Sequence, residues 1–207
     1  MVIQARQQKA IVEARKGAAD YVPHVSQDEV IRLIQAAEGA ARTPRQGRRD
    51  GLLIATMFDG CLRVSEALQF TPSSLKHIAT GWLGSFTGKG GKFGEVALSP
   101  SLVAQLQSYA YEGEVKPNER IFPFSRQQAH HIVKRAFDLT GIIKPDGVGF
   151  DHILRHSGAI ARLAATGNPK ALQDQLRHQS AKMTLRYLKT LSAKESLVIQ
   201  QGVDFGW

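Results

Sequence analysis

The chain has 207 residues, of which 43% are hydrophobic, and a formal net charge of +9. This is enough for one hydrophobic core, and the positive charge favours a polyanionic partner such as nucleic acid, although charge alone leaves a basic enzyme of another kind open. No apolar run reaches membrane-spanning length, and the first twenty residues lack the apolar region of a signal peptide. We therefore expect no membrane partner.

Cys61 is the only cysteine in the sequence. A lone cysteine excludes an intramolecular disulfide framework and a cysteine-based zinc site. Together with the missing signal peptide, it indicates a reducing compartment. We expect a cytoplasmic protein, associated with the nucleoid if the source is bacterial.

Residues 1–24 are basic and helix-compatible, with a thin apolar stripe. This composition indicates an N-terminal arm or linker remnant, so we expect the folded domain to span residues 25–207. Ser26 is followed three positions later by Glu29, the spacing of a helix-starting capping box. The arginine-rich segment at residues 41–50 contains a proline and is predicted to be a basic loop.

Capping residues and apolar periodicity predict the remaining helices. They lie at residues 26–38, 50–58, 63–68, 99–111, 125–141, 151–166, 169–177, 182–189 and 192–200. Between them, residues 81–98 alternate and contain the glycine-rich segment GKGGK, which predicts a β-hairpin with a basic turn. The expected fold class is mainly α with a small antiparallel β-sheet, an α+β arrangement.

Residues 151–187 combine several chemically reactive side chains with apolar positions at helical spacing. His152, Arg155, His156, His178 and Tyr187 lie within this one stretch. Acidic residues are scattered, whereas metal-dependent nucleases cluster them around their ions. Arginine can clamp two phosphate oxygens with its planar guanidinium, and a phenol can attack phosphorus. The stretch therefore favours phosphate chemistry without a metal, provided that a second arginine joins it.

That second arginine occurs in GCLRVSEAL, which carries Arg63 and Glu66. With it, the sequence resembles the catalytic domain of the tyrosine recombinases, the phage-integrase family, over roughly residues 26–200. The motifs that carry the resemblance follow one another in family order: the R-x-x-E helix, the G-K-G turn with Lys89, H-x-x-R-H at His152–His156, and L-x-H ending at His178, with Tyr187 nine positions later.

The resemblance implies a site-specific recombinase that cleaves and rejoins duplex DNA through a 3′-phosphotyrosine, with no cofactor, metal, ATP or small-molecule substrate. It implies these roles: Arg63, Arg155 and His178 on the phosphate, Lys89 as general acid, His152 as proton acceptor or orienting group, Tyr187 as nucleophile, and Glu66 and His156 as supporting residues. The tyrosine recombinase catalytic-domain fold is expected with them.

Several of these site residues also have an alternative interpretation. Arg63 has the spacing of an ordinary helix-face arginine paired with Glu66. Lys92 lies in the same turn as Lys89 and has the same chemistry. His152 and His156, at i and i+4, have the spacing of zinc ligands, but the glutamate of the zinc-protease motif is missing. An isolated Tyr187 would be a half-buried core residue.

The chain departs from the family pattern in three places. Cys61 stands where a glycine usually precedes L-R, and Arg177 stands where the family has L-G-H. Residues 1–24 are too short for the usual core-binding domain. Either this is a fragment of a longer protein, or it belongs with single-domain members such as the fimbrial-switch invertases.

Basic and amide side chains elsewhere are candidate DNA contacts, mostly to phosphate. They are Arg42, Arg45, Arg48, Arg49, Lys92, Arg126, Gln127, Gln128, His130 and Arg177. Residues 192–207 carry apolar side chains that suit docking on a neighbouring protomer, in cis or in trans, and packing within the same chain is equally possible. The family resemblance implies a homo-oligomer, a tetramer, on double-stranded DNA. Two alternatives remain: a type IB topoisomerase-like nicking and rejoining enzyme, and a catalytically idle DNA-binding protein on the same fold.

Overall fold

The computed structural model describes residues 21–191 and 193–201, without the side chains at positions 89, 151, 193–195 and 200. The predicted N-terminal arm therefore lies outside the described residues except for residues 21–24. The helices are α1 (Gln27–Gly39), α2 (Pro44–Asp59), α3 (Val64–Ala67), α4 (Pro100–Glu112), α5 (Arg126–Thr140), α6 (Phe150–Thr166), α7 (Pro169–Leu176), α8 (Ala181–Thr190) and α9 (Ala193–Gln200). The strands are β1 (Leu75–Ile78), β2 (Gly81–Thr87) and β3 (Phe93–Leu98). The predicted fold class is confirmed.

The first helix begins as its sequence predicts. Ser26 Oγ accepts a hydrogen bond from the Glu29 N–H at 3.2 Å, and Glu29 Oε2 accepts one from the Ser26 N–H at 2.8 Å. These two bonds satisfy backbone donors that the first turn of a helix leaves unpaired. The capping box is confirmed.

The basic loop predicted at residues 41–50 is wrong from Pro44 onward, where α2 begins. Thr43 caps this helix by accepting the Gln46 N–H at 3.2 Å, and Pro44 occupies its first position, where a missing N–H costs nothing. Gly47 is buried against the Glu38 backbone of α1, so this turn is fixed by packing. The proline that indicated a loop is the helix start.

Helix α2 is the centre of the main hydrophobic core. Its side chains Leu52, Leu53, Ile54 and Met57 are all buried. It contacts α1, α4 and α6, which surround it on three sides. A helix with this much apolar surface is stable only when neighbours cover it, so α2 fixes the position of α6 and of the loop at residues 60–63.

The small sheet is antiparallel in the order β1-β2-β3. Leu75 is paired with Gly84, and Thr87 with Phe93. The predicted hairpin is therefore confirmed, and β1 adds a third strand to it. Its turn contains a 3-10 segment, Lys89–Gly91, in which Gly90 has a φ of 76°, a conformation that glycine adopts without strain.

A second, smaller cluster of buried side chains lies on the far side of α6. It joins Val22, Cys61, Leu163, Leu176 and Tyr187 with three further residues, Ala159, Ile160 and Leu172. Its residues come from both halves of the chain. Their packing therefore brings α6, α7, α8 and the loop after α2 together.

The described part of the C-terminal segment, α9, lies against α6 of the same chain, with Ile199 over Gly167. Leu197 and Val198 are exposed at 64% and 57%. Phe205 and Trp207 lie outside the described residues. The role predicted for this segment in contacts between protomers stays a prediction.

Candidate active site

One cavity collects most of the residues that the sequence singles out. Its lining includes Arg63, His152, Arg155, His178 and Tyr187, and its volume is about 200 Å³. A water molecule's share of liquid volume is about 30 Å³, so a phosphate group fits in this space. Residues from α6, α8 and the loop after α2 thus meet, although they are up to 124 positions apart in the sequence.

Arg155 is held at the floor of this cavity. Its Nη1 donates to the Cys61 carbonyl at 2.6 Å and its Nη2 donates to the Leu176 carbonyl at 2.8 Å. The residue is only 2% exposed. Burial, and next the charge of Arg63, lower the pKa of Arg155 to about 10, so the guanidinium stays charged at neutral pH. It is a fixed positive charge below the cavity.

Arg63 lies at the N-terminus of α3 and reaches the cavity wall. Its backbone N–H donates to Glu66 Oε2 at 2.8 Å and its Nη1 donates to Glu66 Oε1 at 2.9 Å. The pairing expected of an ordinary helix-face arginine is therefore present. The side chain is nevertheless 47% exposed, so its remaining donors are accessible from the cavity.

Glu66 is buried among three arginines. Besides Arg63, the carboxylate accepts from Arg177 Nη2 at 2.7 Å and lies 3.7 Å from Arg155 Nη1. Burial raises its pKa, but the Arg63 backbone N–H and the charges of Arg177, Arg155 and Arg63 outweigh burial and leave the pKa below its usual value. Glu66 therefore stays ionised and orders the guanidiniums around it.

The two departures from the family motifs share one backbone feature. Cys61 has a φ of 49° and Arg177 a φ of 56°, both in the left-handed region that glycine adopts without strain. The tight turns of a glycine-containing loop are thus kept. At Arg177 the added side chain lies 4.6 Å over the Phe86 ring and pairs with Glu66.

His178 is oriented by a residue that no sequence motif identifies. Its Nδ1 is 3.0 Å from Oγ1 of the buried Thr184. Burial, followed by the charges of Arg155, Arg63 and Arg177, lowers the His178 pKa to about 4. A neutral ring that accepts the Thr184 hydroxyl at Nδ1 carries its hydrogen on Nε2, which is then a donor.

Tyr187 is 4% exposed, and its hydroxyl lies 2.9 Å from His156 Nδ1. Burial is the main reason why its pKa is raised, in spite of the Arg155 charge. The His178 ring is packed at a centroid distance of 6.1 Å. The Tyr187 hydroxyl thus has the His156 ring as its hydrogen-bond partner, and the His178 ring packs beside the phenol ring.

The β2–β3 hairpin forms part of a second depression next to the cavity. Gly88, Gly90 and the exposed Lys92 line a depression that continues from Arg63 and Arg177. The side chain of Lys89 lies outside the described residues, so the choice between the two lysines stays a prediction.

His152 is exposed at the mouth of the cavity, and its ring centroid is 6.3 Å from that of His156. Among the described residues, no three His, Cys, Asp or Glu side chains are grouped so that they could hold a metal ion.

The candidate DNA contacts are spread over several elements. On α2, Arg48 pairs with Glu112 at 2.6 Å and Arg45 lies 4.5 Å over the Tyr109 ring, while Arg49 lies 4.2 Å over the Phe124 ring. Arg42 is exposed just before that helix. Their DNA contacts stay predictions.

The candidate DNA contacts on α5 differ in whether their side chains already interact with other parts of the protein. Arg126, at its first turn, lines a groove that also includes Arg63 and His152. Gln127 is exposed, whereas Gln128 closes the capping box of α5 by accepting the Ser125 N–H at 2.8 Å. His130 packs edge-on against Phe150 at 5.4 Å. Here too DNA contact stays a prediction.

Two supports of the site carry no motif in the sequence. Gln175 Oε1 accepts the Ala97 N–H at 2.9 Å, and its Nε2 donates to the Gly60 carbonyl at 3.2 Å, so it ties β3 to the loop before Arg63. Val22 covers the cavity, and its N–H donates to Thr190 Oγ1 at 2.9 Å. Long-range contacts of this kind leave no local pattern that a reader of the sequence could detect.

Known proteins are similar to this chain in sequence and in fold. A model of the phage integrase family matches residues 23–194. Tyrosine recombinase XerD of Bifidobacterium longum is 30% identical over 197 residues, which cover 86% of this chain and 61% of that protein. Tyrosine recombinase XerC of Rhodospirillum centenum is 30% identical over 190 residues, 86% of this chain and 53% of that protein. The chain thus spans between half and two thirds of these relatives.

Two solved structures have the same fold. The catalytic domain of bacteriophage HP1 integrase superposes with a TM-score of 0.62 at 26% identity, over 86% of this chain and 94% of that one. The site-specific recombinase XerH, bound to a palindromic difH substrate in a post-cleavage complex, gives 0.70 at 21% identity, over 86% of this chain and 53% of that one. Since the family match covers most of the sequence, this protein belongs to the phage integrase family, and its described residues form a tyrosine recombinase catalytic domain.

Proposed function

We propose that this chain cleaves and rejoins duplex DNA as the catalytic part of a site-specific recombinase, through a 3′-phosphotyrosine at Tyr187. The observation that carries the proposal is the common cavity of Tyr187 with Arg63, Arg155 and His178. A phenol next to two guanidiniums and a neutral imidazole donor is suited to attack a bound phosphodiester.

The cationic surroundings address the main energetic obstacle. A tyrosine has a pKa of about 10, so forming its phenolate at pH 7 costs roughly 4 kcal/mol, and burial adds to that cost. Arg155 and Arg63 offset it by stabilising the negative charge that spreads over the phosphate and the attacking oxygen. His178 adds a hydrogen bond from Nε2, and His152 orients the phosphate from the mouth of the cavity.

The leaving 5′-oxygen needs a proton, which we assign to Lys89. The matched variants are Lys89→Met and Lys92→Met, which remove the ammonium from neighbouring positions of one turn. With a 5′-bridging sulfur in the substrate, the leaving group no longer needs protonation, so the Lys89 variant regains its cleavage rate. Recovery of the Lys92 variant instead would assign the proton to that lysine.

The test of the proposed function is a nicked suicide substrate that prevents rejoining. The wild-type chain forms a covalent protein–DNA adduct that persists in EDTA, and Tyr187→Phe forms none. Mapping the modified peptide places the adduct. An adduct in the phenylalanine variant, or cleavage that EDTA abolishes, would contradict the mechanism. Holliday-junction intermediates in the same reactions distinguish strand exchange from topoisomerase-like nicking and rejoining, and a complete absence of adduct in the wild type indicates the idle DNA-binding alternative.

Double-stranded DNA is the partner that we propose, and a homotetramer on DNA is the assembly. The net charge of +9 supports a polyanionic partner. Binding to any duplex should weaken steeply with salt, and each phosphate contact removed by substitution of Arg42 or Arg126 should make the salt slope shallower by about one unit. If neither substitution changes the salt dependence of binding, Arg42 and Arg126 do not contact DNA phosphates.

A further inference from the structure

The nucleophile must lose a proton, and the hydrogen bond that its hydroxyl makes identifies a recipient. Tyr187 Oη lies 2.9 Å from Nδ1 of His156, a residue that the motif comparison assigned only a supporting role. His152, to which the family resemblance gives the role of proton acceptor or orienting group, is exposed at the cavity mouth. His156, which is hydrogen-bonded to the hydroxyl, is therefore the better-placed acceptor.

The direction of this hydrogen bond follows from the two groups. Both are neutral at pH 7, because burial raises the pKa of Tyr187 and lowers that of His156 to about 4. A phenol O–H is a stronger acid than a neutral imidazole N–H, so the hydroxyl donates and Nδ1 accepts. The ring hydrogen of His156 is then on Nε2.

The residues on either side of His156 anchor α6 to its surroundings. The preceding residue, Arg155, donates to two backbone carbonyls. The following residue, Ser157, accepts the Val25 N–H at 3.0 Å and is 1% exposed. These hydrogen bonds hold α6 in place on either side of His156, and the ring itself is held by the contact of Nδ1 with the Tyr187 hydroxyl.

We propose that His156 is the proton acceptor of the Tyr187 nucleophile, an assignment that rests on the proposed function. As Oη forms its bond to phosphorus, the Oη proton passes to Nδ1, the bond from phosphorus to O5′ breaks, and O5′ takes a proton from the general acid. In rejoining, the 5′-hydroxyl attacks and gives its proton back to the deprotonated general acid, the bond from Oη to phosphorus breaks, and the imidazolium returns its proton to Oη.

The surroundings keep this acceptor unprotonated until a phosphate arrives. The charged and titratable groups that face it are His152 and Arg155 on α6, Arg186 on α8, and His24 before α1. These groups disfavour an imidazolium in the empty site. A phosphodiester adds negative charge beside the ring, which stabilises the imidazolium at the moment when it forms.

The decisive measurement is the single-turnover rate of adduct formation on the suicide substrate as a function of pH. In the wild-type chain the rate should fall toward acid pH as the imidazole becomes protonated. His156→Gln should lower the rate by about 10²- to 10⁴-fold at pH 7 and lose this acid limb. His152→Gln, one helical turn away, should keep the limb. A wild-type rate in His156→Gln, or an acid limb lost only in His152→Gln, would overturn the assignment.

Two further readouts separate proton transfer from simple packing. Added imidazole should restore part of the rate in His156→Ala and none in His152→Ala, because a free base fits only where the acceptor was removed. The ¹⁵N shifts of the DNA-free chain should place the His156 hydrogen on Nε2, and a hydrogen on Nδ1 would overturn the assignment. A wild-type chain that forms no adduct overturns the proposed function and this assignment together, whereas unimpaired His156 variants overturn the assignment alone.

Discussion

Arg177 Nη2 donates to Glu66 Oε2 at 2.7 Å, although Arg177 stands at the family's glycine position and keeps a φ of 56°. A non-glycine residue in this left-handed conformation costs roughly 1–2 kcal/mol. The guanidinium offsets that cost through its pair with a buried carboxylate and its contact with the Phe86 ring. The substitution therefore exchanges an unstrained turn for a third arginine around Glu66.

Arg177→Gly and Arg177→Ala separate these two contributions. Both variants lose the pair with Glu66, but only alanine keeps the backbone strain. We expect the glycine variant to be within about 1 kcal/mol of wild type and the alanine variant to be about 1 kcal/mol less stable than the glycine variant. Urea unfolding measures both, and an alanine variant at least as stable as the glycine variant would contradict the account.

Glu66→Gln should destabilise the fold by about 2 kcal/mol at pH 7, because three arginines lose an ionised partner. The folded pKa of Glu66 is below its usual value, so its stabilisation is complete above the unfolded pKa of about 4.3 and disappears as the pH falls through the lower folded pKa. The gap between variant and wild type should therefore narrow below about pH 4. Unfolding free energies from pH 3 to 7 measure it, and a gap independent of pH would show that the charge of Glu66 does not contribute.

The half-buried imidazoles of His156 and His178 should make stability rise with pH between about 4 and 6.5, because there the unfolded chain binds protons that the two folded rings do not. Each histidine contributes a slope of at most about 1.4 kcal/mol per pH unit. His178→Gln should remove its share of the slope, and His131→Gln, at an exposed position on α5, is the matched control for replacing a histidine. An unchanged slope in His178→Gln would contradict the burial of that ring.

Cys61 should be inert to thiol reagents in the folded chain. Burial raises its pKa to about 11, and the residue has no exposed surface. Because only the thiolate reacts, alkylation at pH 8 should be slower by two orders of magnitude or more than in the unfolded chain, whose thiol has a pKa of about 8.5. Mass spectrometry with and without denaturant measures the ratio, and Cys61→Gly provides the blank. Equal rates in the two states would contradict a buried thiol.

Local sequence signals predicted most of the elements. Three such signals are the Ser26–Glu29 capping box, the Ser125 cap and the glycine-rich turn of the hairpin. Each acts over a few residues, so the local structure that it forms can be predicted without the rest of the chain. The start of α2 is different. Pro44 is equally compatible with a loop and with a first helical turn, and the packing of Gly47 against α1 decides between them.

The order and spacing of a few residue types were sufficient to indicate the family and to identify Arg63, Arg155, His178 and Tyr187 as candidate site residues. Which imidazole meets the Tyr187 hydroxyl depends on how the helices pack, because His152 and His156 share one helix face and differ in what packs against them from α8 and from residues 21–25. The tertiary structure also decided that Arg177 faces Glu66, since that contact joins residues 111 positions apart. Burial and long-range pairing arise when helices pack, and a linear pattern holds no record of them.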